Sequence, residues 1–268
     1  MKYRGKEIFG ILAALGMSGC DFKVPWGEDS GGAGTCMDDF LAELAMDRDV
    51  LEAEAAARGV DASDVIEELV ESGLGVADFL FDCSAREGLS DLGEGSGGTF
   101  YEADSSDDMV DTLIDVTEQD SEKSQDIVFL IDATGSMSDD IDAVRERLSE
   151  VLAALDPEED RASFAWYRDR AVDDPWFDQN SSGLIASDSS ELSSYLSGVS
   201  PQGGGDLPES LYDGIYKVVG QTDWAAEKKI VIAVTDAAAK DTDTHSAEDV
   251  LELCEGAGVV VVPILVGF

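Results

Sequence analysis

Residues 126–137, with the sequence DIVFLIDATGSM, constrain the fold more than any other stretch of the chain. The five apolar residues at 127–131 have the length of a strand buried on both faces, and the run stops at Asp132, before small and hydroxylated residues. In an open parallel sheet, ligands bind outside the carboxyl ends of the strands. Asp132, Thr134 and Ser136 alternate through this loop, so they can direct three oxygen atoms at one point, as a hard cation such as Mg²⁺ requires.

The sequence after this loop predicts an alternation of helices and strands. Apolar residues at helical spacing predict a helix over 139–155, which Pro157 ends, and strands are predicted at 162–167 and 229–235. A short edge strand at 184–186 and a short helix at 191–196 lie between them. This order predicts an α/β fold with a doubly wound sheet and helices on both faces.

Two further loops are expected at the same edge of the sheet. The segment 203–209, GGGDLPE, carries signals of a helix start, with Asp206 as N-cap, Pro208 in the first turn and Glu209 favoured by the helix dipole. The strand at 229–235 ends at Asp236, as the first strand ends at Asp132. Two such acids on either side of the first crossover are expected near one crevice, at the switch in strand order.

Together these loops resemble the metal-ion-dependent adhesion site of von Willebrand factor A domains. Residues 132–136 resemble its Asp-x-Ser-x-Ser motif with Thr in the middle position, and residues 203–209 resemble the Gly-Gly-Gly-Asp-x-Pro-Glu loop of one branch and the Asp-x-Pro-Glu loop of integrin β subunits. The resemblance implies a mostly parallel, six-stranded, Rossmann-like sheet. It also implies a bound Mg²⁺, or Ca²⁺ or Mn²⁺, with these ligands: Asp132, Thr134, Ser136, Glu209 and Asp236.

The likeness to integrin β subunits implies further cation sites. Asp139 and Asp140 match the acids that bind a second cation there, although acids in the first turn of a helix are also favoured by its dipole. Asp169 and Asp206 are candidate ligands of a third cation. Gly204 stands where the integrin pattern has Asn, which is a departure at that third site.

Residues 85–120 resemble the last helix, last strand and closing helix of such a domain, but they precede the first strand. The apolar run at 259–266 expects a neighbour on each side, and no later strand follows it. We therefore predict that residues 99–103 lie parallel beside residues 259–266, as in a circularly permuted domain. The alternative is that residues 85–120 are the tail of an earlier domain that has been lost.

The N-terminus resembles a bacterial lipoprotein signal peptide, residues 1–19, with Cys20 as the residue that would be lipidated. Met17 replaces the usual Leu, and an ordinary secretory signal or a buried helix is the alternative. Residues 20–36 are predicted to be a flexible tether and residues 37–84 a small helical element, followed by the main domain at 85–268.

The expected location is the bacterial cell envelope, lipid-anchored in the outer membrane or at the cell surface or periplasm. A disulfide between Cys36 and Cys83, which bracket one helical segment, is predicted there, with Cys254 left as a buried thiol.

The composition excludes one class of partner. Asp and Glu outnumber Lys and Arg by 59 to 17, which gives a formal charge of −42. Nucleic acid is not expected to bind, because phosphate contacts need Lys and Arg. The excess of acid also suggests a saline habitat or abundant divalent cations, which would screen the repulsion.

The resemblance implies a membrane-anchored binding domain, without catalysis, that recognises a carboxylate-bearing protein or glycan through the cation. One alternative is a structural or scaffold domain whose cation has no exchangeable position. A second is an enzyme, because the segment 132–135, DATG, also resembles the DKTG of haloacid-dehalogenase-like phosphotransferases. Asp132 would then be the nucleophile, with Thr235 and Lys240 as its later residues.

Overall fold

The structure is a computed structural model that describes residues 76–119, 123–156, 158–180, 184, 189–204, 208–240 and 244–267, with side chains from residue 85 onward. The chain divides into two compact units, Met1–Glu87 and Gly88–Phe268. The predicted signal peptide, tether and residues 37–75 of the predicted helical element lie outside the described residues, as do Cys20, Cys36, Asp206 and the side chain of Cys83. No helix in the described part of the chain is long and apolar enough to cross a membrane.

A six-stranded sheet forms the centre of the second unit, and its spatial order is β1-β6-β5-β2-β3-β4. All neighbouring strands are parallel except β3 and β4, which are antiparallel. The sheet confirms the predicted fold class. Its strands are β1 (Tyr101–Ala103), β2 (Gln125–Asp132), β3 (Arg161–Tyr167), β4 (Phe177–Gln179), β5 (Lys228–Thr235) and β6 (Val260–Val266).

Helices cover both faces of this sheet. The helices of the described residues are α1 (Val76–Ser96), α2 (Ser106–Glu118), α3 (Ser138–Ala153), α4 (Ser189–Gly198), α5 (Leu211–Gln221) and α6 (Ala247–Ala257). Buried side chains of α2, α3 and α4 pack with alternate residues of the strands in one apolar cluster. On the other face, α5 packs against the strands and against α6. Burial of apolar surface on both sides of one sheet is the main force that stabilises this arrangement.

β2 is one of the two middle strands of the sheet, and all eight of its residues are buried. Its side chains alternate between the two faces, so an unbroken apolar run is what a strand covered on both sides requires. Phe129 of β2 stacks on Phe164 of β3 with 4.9 Å between the ring centroids. The apolar run at residues 127–131 therefore lies in the core of the domain.

The predicted pairing of the first and last strands is confirmed. β1 lies parallel to β6, with Tyr101 opposite Ile264 and Ala103 opposite Val266. The glycine-rich end of α1 approaches β6 closely, because a Cβ on Gly98 would lie 2.1 Å from the carbonyl oxygen of Val261. The element order that a circular permutation would produce is thus present, and the permutation itself stays a prediction.

Two details of the sequence analysis were wrong. The edge strand is Phe177–Gln179, whereas Leu184 of the predicted strand 184–186 is in no strand and its two neighbours lie outside the described residues. The helix predicted to open within 203–209 begins instead at Leu211, with Ser210 as its N-cap. By contrast, Cys254 is a buried free thiol, as predicted, and burial raises its pKa to about 11.

Candidate functional site

Three loops meet at the carboxyl ends of β2 and β5, which are neighbours in the sheet. Asp132 is the last residue of β2, and Asp236 follows the last residue of β5. The third loop, between α4 and α5, is joined to the first by two backbone hydrogen bonds, from Gln202 to Ala133 (3.0 Å) and from Gly135 to Gly203 (3.4 Å). The site therefore forms where the strand order reverses, as the sequence predicted.

Asp132 is fully buried and fixed by donors on three elements. Its Oδ1 accepts the backbone N–H of Thr134 (2.8 Å), while Oδ2 accepts the hydroxyls of Tyr167 (3.2 Å) and Thr235 (3.1 Å). Burial, followed by the nearby Asp236 carboxylate, raises the pKa of Asp132 to about 7. The carboxylate is held in place in an environment where its negative charge is poorly compensated.

The two hydroxyls of the first loop lie side by side. Thr134 Oγ1 and Ser136 Oγ are 3.2 Å apart. Burial raises the pKa of Asp236, and the Ser136 hydroxyl opposes this rise by favouring the ionised form of that carboxyl. Thr134 is buried, whereas Ser136 is exposed and Asp236 is partly exposed. The group of oxygens thus extends from the buried Asp132 carboxylate to the surface of the domain.

Glu209 reaches the same point from the third loop because residue 204 is glycine. A Cβ on Gly204 would lie 2.8 Å from Glu209 Oε1 and 2.9 Å from the Cβ of Thr134, so these two side chains flank one small space. Gly204 has a φ of 65°, a left-handed conformation that favours glycine. Asp173 supports this turn, because its Oδ2 accepts the N–H of Gly204 (3.1 Å).

The backbone at Glu209 pairs with the loop after β5 instead of forming a helix. Its N–H donates to the carbonyl of Ala238 (3.0 Å), and its carbonyl accepts the N–H of Lys240 (2.8 Å). This short parallel bridge explains why the predicted helix start was displaced to Leu211. It also holds the third loop against the loop that follows β5.

The oxygens at this point lack the positive partner that buried carboxylates need. Within the described residues, neither Oε2 of Glu209 nor Oδ1 of Asp236 has a hydrogen-bond partner, although both atoms are buried. Burial, together with the carboxylates of Asp132, Asp169 and Asp236, raises the pKa of Glu209 to about 9. Burial also raises the pKa of Asp236. Buried charges are normally paired or bound to metals, so this donor set of carboxylates and hydroxyls fits a hard divalent cation.

In the described part of the chain, no three side chains of His, Cys, Asp or Glu are grouped so that they could hold a metal ion, and this includes the carboxylates of Asp132, Glu209 and Asp236. A cation at the three loops would therefore need the hydroxyls of Thr134 and Ser136 as ligands as well. The three loops bring Asp132, Thr134, Ser136, Glu209 and Asp236 together, and the metal itself stays a prediction.

The residues predicted for further cations are placed differently. Asp139 is exposed, whereas Asp140 is buried, and burial raises the pKa of Asp140. Asp169 is fully buried, and its Oδ2 accepts a hydrogen bond from the ammonium of Lys240 (2.9 Å). Both further sites stay predictions, and Asp206 lies outside the described residues.

Sequence reasoning missed two residues that shape the site, Tyr167 and Asp173, and gave Lys240 a role only in the phosphotransferase alternative. Tyr167 could have been found from the sequence. It is the polar last residue of β3, and the register of β2 and β3 places it opposite Asp132. Asp173 and Lys240 act across loops, and no local pattern in the sequence indicates their partners. Lys240, a later residue in the phosphotransferase alternative, forms an ion pair with Asp169, with its Nζ 2.9 Å from Oδ2.

The fold and the site define a doubly wound α/β domain with an acidic centre at its topological switch point. A family model of the von Willebrand factor A domain matches residues 126–267, more than half of the chain. The chain belongs to the von Willebrand factor A domain family. A search of curated proteins found no match. β1 lies before the matched residues, yet it forms the edge of the same sheet.

Proposed function

We propose that this domain binds a divalent cation and uses it to bind a carboxylate-bearing protein or glycan. The observation that carries the proposal is the pair of buried, unpartnered carboxylate oxygens on Glu209 and Asp236, at the meeting point of three loops. The proposed ligands of the cation are Asp132, Thr134, Ser136, Glu209 and Asp236. When bound, the cation would supply a Lewis-acidic position for an oxygen of the partner.

Different residues of the chain would have different roles at such a site. Tyr167 and Thr235 orient the Asp132 carboxylate, so its position does not depend on the cation. Glu209 and Asp236 contribute charge that the fold leaves uncompensated. The exposed Ser136 places one edge of the site at the surface, which favours an exchangeable ligand over a closed structural site.

The cation is tested by isothermal titration of Mg²⁺, Ca²⁺ and Mn²⁺ into the full-length chain at moderate salt. We expect binding in the micromolar to millimolar range that is lost in Asp132→Ala. Glu252→Gln, which removes one exposed acid of α6, is the matched control and should bind as the wild type does. Binding that survives in Asp132→Ala would assign the cations to the acidic surface and contradict the proposal.

The exchangeable position is tested by water-proton relaxation of the Mn²⁺-loaded chain. An open site enhances relaxation, and an added Asp-containing peptide should reduce the enhancement by taking the exchangeable position. EDTA should abolish both effects. A Mn²⁺-loaded chain without enhancement would support the scaffold alternative, in which the protein supplies every ligand.

We further propose that the domain is exported and anchored through a lipid on Cys20, with residues 21–36 as a tether. The basic and then apolar N-terminus supports this, as does the Gly and Ser content of the tether. The pairing of β1 with β6 supports a circularly permuted member of the branch with the Gly-Gly-Gly-Asp-x-Pro-Glu loop. Incorporation of labelled palmitate in a bacterial host, lost in Cys20→Ala, tests the anchor.

A further inference from the structure

Lys240 is a buried cation that lies next to the proposed metal site. It is 5% exposed, and its Nζ lies 2.9 Å from Oδ2 of Asp169, which is fully buried. Placing two charges in the interior is costly unless geometry and further hydrogen bonds are good. Asp169 meets that condition in part, because its Oδ1 also accepts the N–H of Ala171 (2.8 Å).

The ion pair belongs to a closed ring of contacts around Glu209. The backbone N–H of Lys240 donates to the carbonyl of Glu209, while its ammonium binds Asp169. The carbonyl of Asp169 accepts the N–H of Asp173 (2.9 Å), and Asp173 in turn accepts the N–H of Gly204. Gly204 lies against Glu209. The ring therefore joins the loops after β3, α4 and β5.

The charge of Lys240 acts on the site as well as on Asp169. Glu209 is surrounded by the carboxylates of Asp132, Asp169 and Asp236, and Lys240 opposes them by favouring the ionised form of Glu209. The ammonium thus lies within electrostatic reach of a proposed metal ligand. At the same time it occupies Asp169, the residue for which the sequence suggested a third metal ion.

We propose that Lys240 is a built-in cation, whose ammonium neutralises Asp169 so that no divalent cation binds there. Lys240 is then a positioning residue for Glu209, which it holds through its backbone and balances through its charge. This inference rests on the proposed function, since it concerns the number and affinity of cations at that site. A compact ammonium with three donors suits this role.

The stoichiometry of Mn²⁺ tests the proposal, measured on the full-length chain by electron paramagnetic resonance of free Mn²⁺ in 0.5 M NaCl. We expect Lys240→Met to bind one Mn²⁺ more than the wild type. Adding Asp169→Asn should remove the extra ion, and Lys240→Arg should bind the same number as the wild type. Circular dichroism in EDTA checks that each variant is folded.

The dissociation constant of Mn²⁺ at the three-loop site distinguishes an effect of the Lys240 charge from an effect of its packing. Asp169→Asn alone leaves the ammonium without its carboxylate, so we expect the dissociation constant of Mn²⁺ at the main site to rise at least tenfold. The double variant Lys240→Met/Asp169→Asn should return to within threefold of the wild type. A role in packing alone would leave the double variant at least as weak as the single one.

Three outcomes are distinguishable. An extra ion in Lys240→Met that disappears with Asp169→Asn supports the proposal. Equal stoichiometry in the wild type and a folded Lys240→Met, or no recovery in the double variant, overturns the role of Lys240 while leaving the metal site intact. If the wild type binds no more Mn²⁺ than Asp132→Ala does, the proposed function fails, and this inference fails with it.

Discussion

Gly204 brings the third loop against the first, and its lack of a side chain is what permits the contact. Its φ of 65° is disfavoured for other residues, and a Cβ would touch both Glu209 and Thr134. The integrin pattern has Asn at this place, which made the residue look like a departure from a metal site. The structure gives the physical reason for glycine, since the space is filled by two proposed ligands.

Replacing Gly204 should damage the site more than the fold. We expect Gly204→Ala to lower the free energy of unfolding by about 2 kcal/mol, from backbone strain and crowding together. It should also raise the dissociation constant for Mn²⁺ at least tenfold, because Glu209 or Thr134 must move. Urea unfolding in EDTA and Mn²⁺ titration measure the two effects separately.

The chain contains a matched control for this substitution. Gly258, after α6, has the same φ of 65°, but a Cβ there would meet nothing within 4 Å. Gly258→Ala should therefore cost about 1 kcal/mol from the backbone conformation alone and leave Mn²⁺ affinity unchanged. Equal Mn²⁺ affinity in both variants would show that crowding at Gly204 does not matter.

Among the elements, β2 is held at both ends by an aspartate. At the end away from the site, Asp126 accepts two hydrogen bonds from Arg161 at the start of β3 (2.8 and 2.7 Å). It also accepts the N–H groups of Ala225 and Ala226 (2.6 and 2.8 Å), in the loop before β5. One carboxylate thus ties three neighbouring strands together.

We expect Asp126→Asn to lower the free energy of unfolding at pH 7 by about 3 kcal/mol, because it leaves a partly buried guanidinium without its charge partner. Although burial opposes it, hydrogen bonding by Arg161 and the two amides holds the pKa of Asp126 below its unfolded value of 3.8. The contribution of the carboxylate is therefore fully present above about pH 4. It is lost as the pH falls through the lowered folded-state pKa.

Urea unfolding of the wild type and Asp126→Asn at stepwise lower pH checks this. The difference between them should shrink below pH 4. Asp111→Asn, which removes one of the exposed acidic partners of Arg147, should leave stability almost unchanged at every pH. A difference for Asp126→Asn that is independent of pH would assign the effect to packing.

Strands with apolar runs on both faces were predictable, as β2, β5 and β6 show, because burial dictates their composition. β4 was missed because three partly polar residues carry too little pattern to mark an edge strand. The start of α5 was misplaced for a different reason. Pro208 and Glu209 fit the rules for a helix N-terminus, but tertiary pairing of Glu209 with the loop after β5 prevails over them.

The residues of the candidate site also divide into those that the sequence predicts and those that only the fold reveals. Asp132 and Asp236 were predictable because each follows the end of a buried strand, and the hydroxyls at 134 and 136 follow from their spacing. Glu209 required the resemblance to a family, since its local signals indicate a helix. The pairing of Lys240 with Asp169 joins residues 71 positions apart, so only the folded chain could reveal it.

The whole molecule carries a formal charge of −42, which opposes its own compaction. Raising NaCl from 0.1 to 1 M shortens the Debye length from about 10 Å to about 3 Å. We expect the melting temperature in EDTA to rise over this range, by about 2–4 °C for each kcal/mol of repulsion that is screened. Differential scanning calorimetry measures the rise.

In this experiment, Asp132→Ala distinguishes screening of charge over the whole surface from an effect of salt at the three-loop site. If repulsion across the whole surface is responsible, the variant should show the same rise with salt as the wild type. A rise confined to the wild type would instead locate the effect at the three-loop site. Divalent cations, in contrast, should stabilise the wild type by mass action and the variant much less.

The position of β6 sets the order in which the sheet can be completed. β6 is the last of the described strands to be synthesised, yet it lies between β1, made some 160 residues earlier, and β5. Until it leaves the ribosome, β1 has no strand to join, and one edge of β5 is left open to other chains. Loss of β6 would therefore separate β1 from the other strands and would leave β5 with an exposed, aggregation-prone edge.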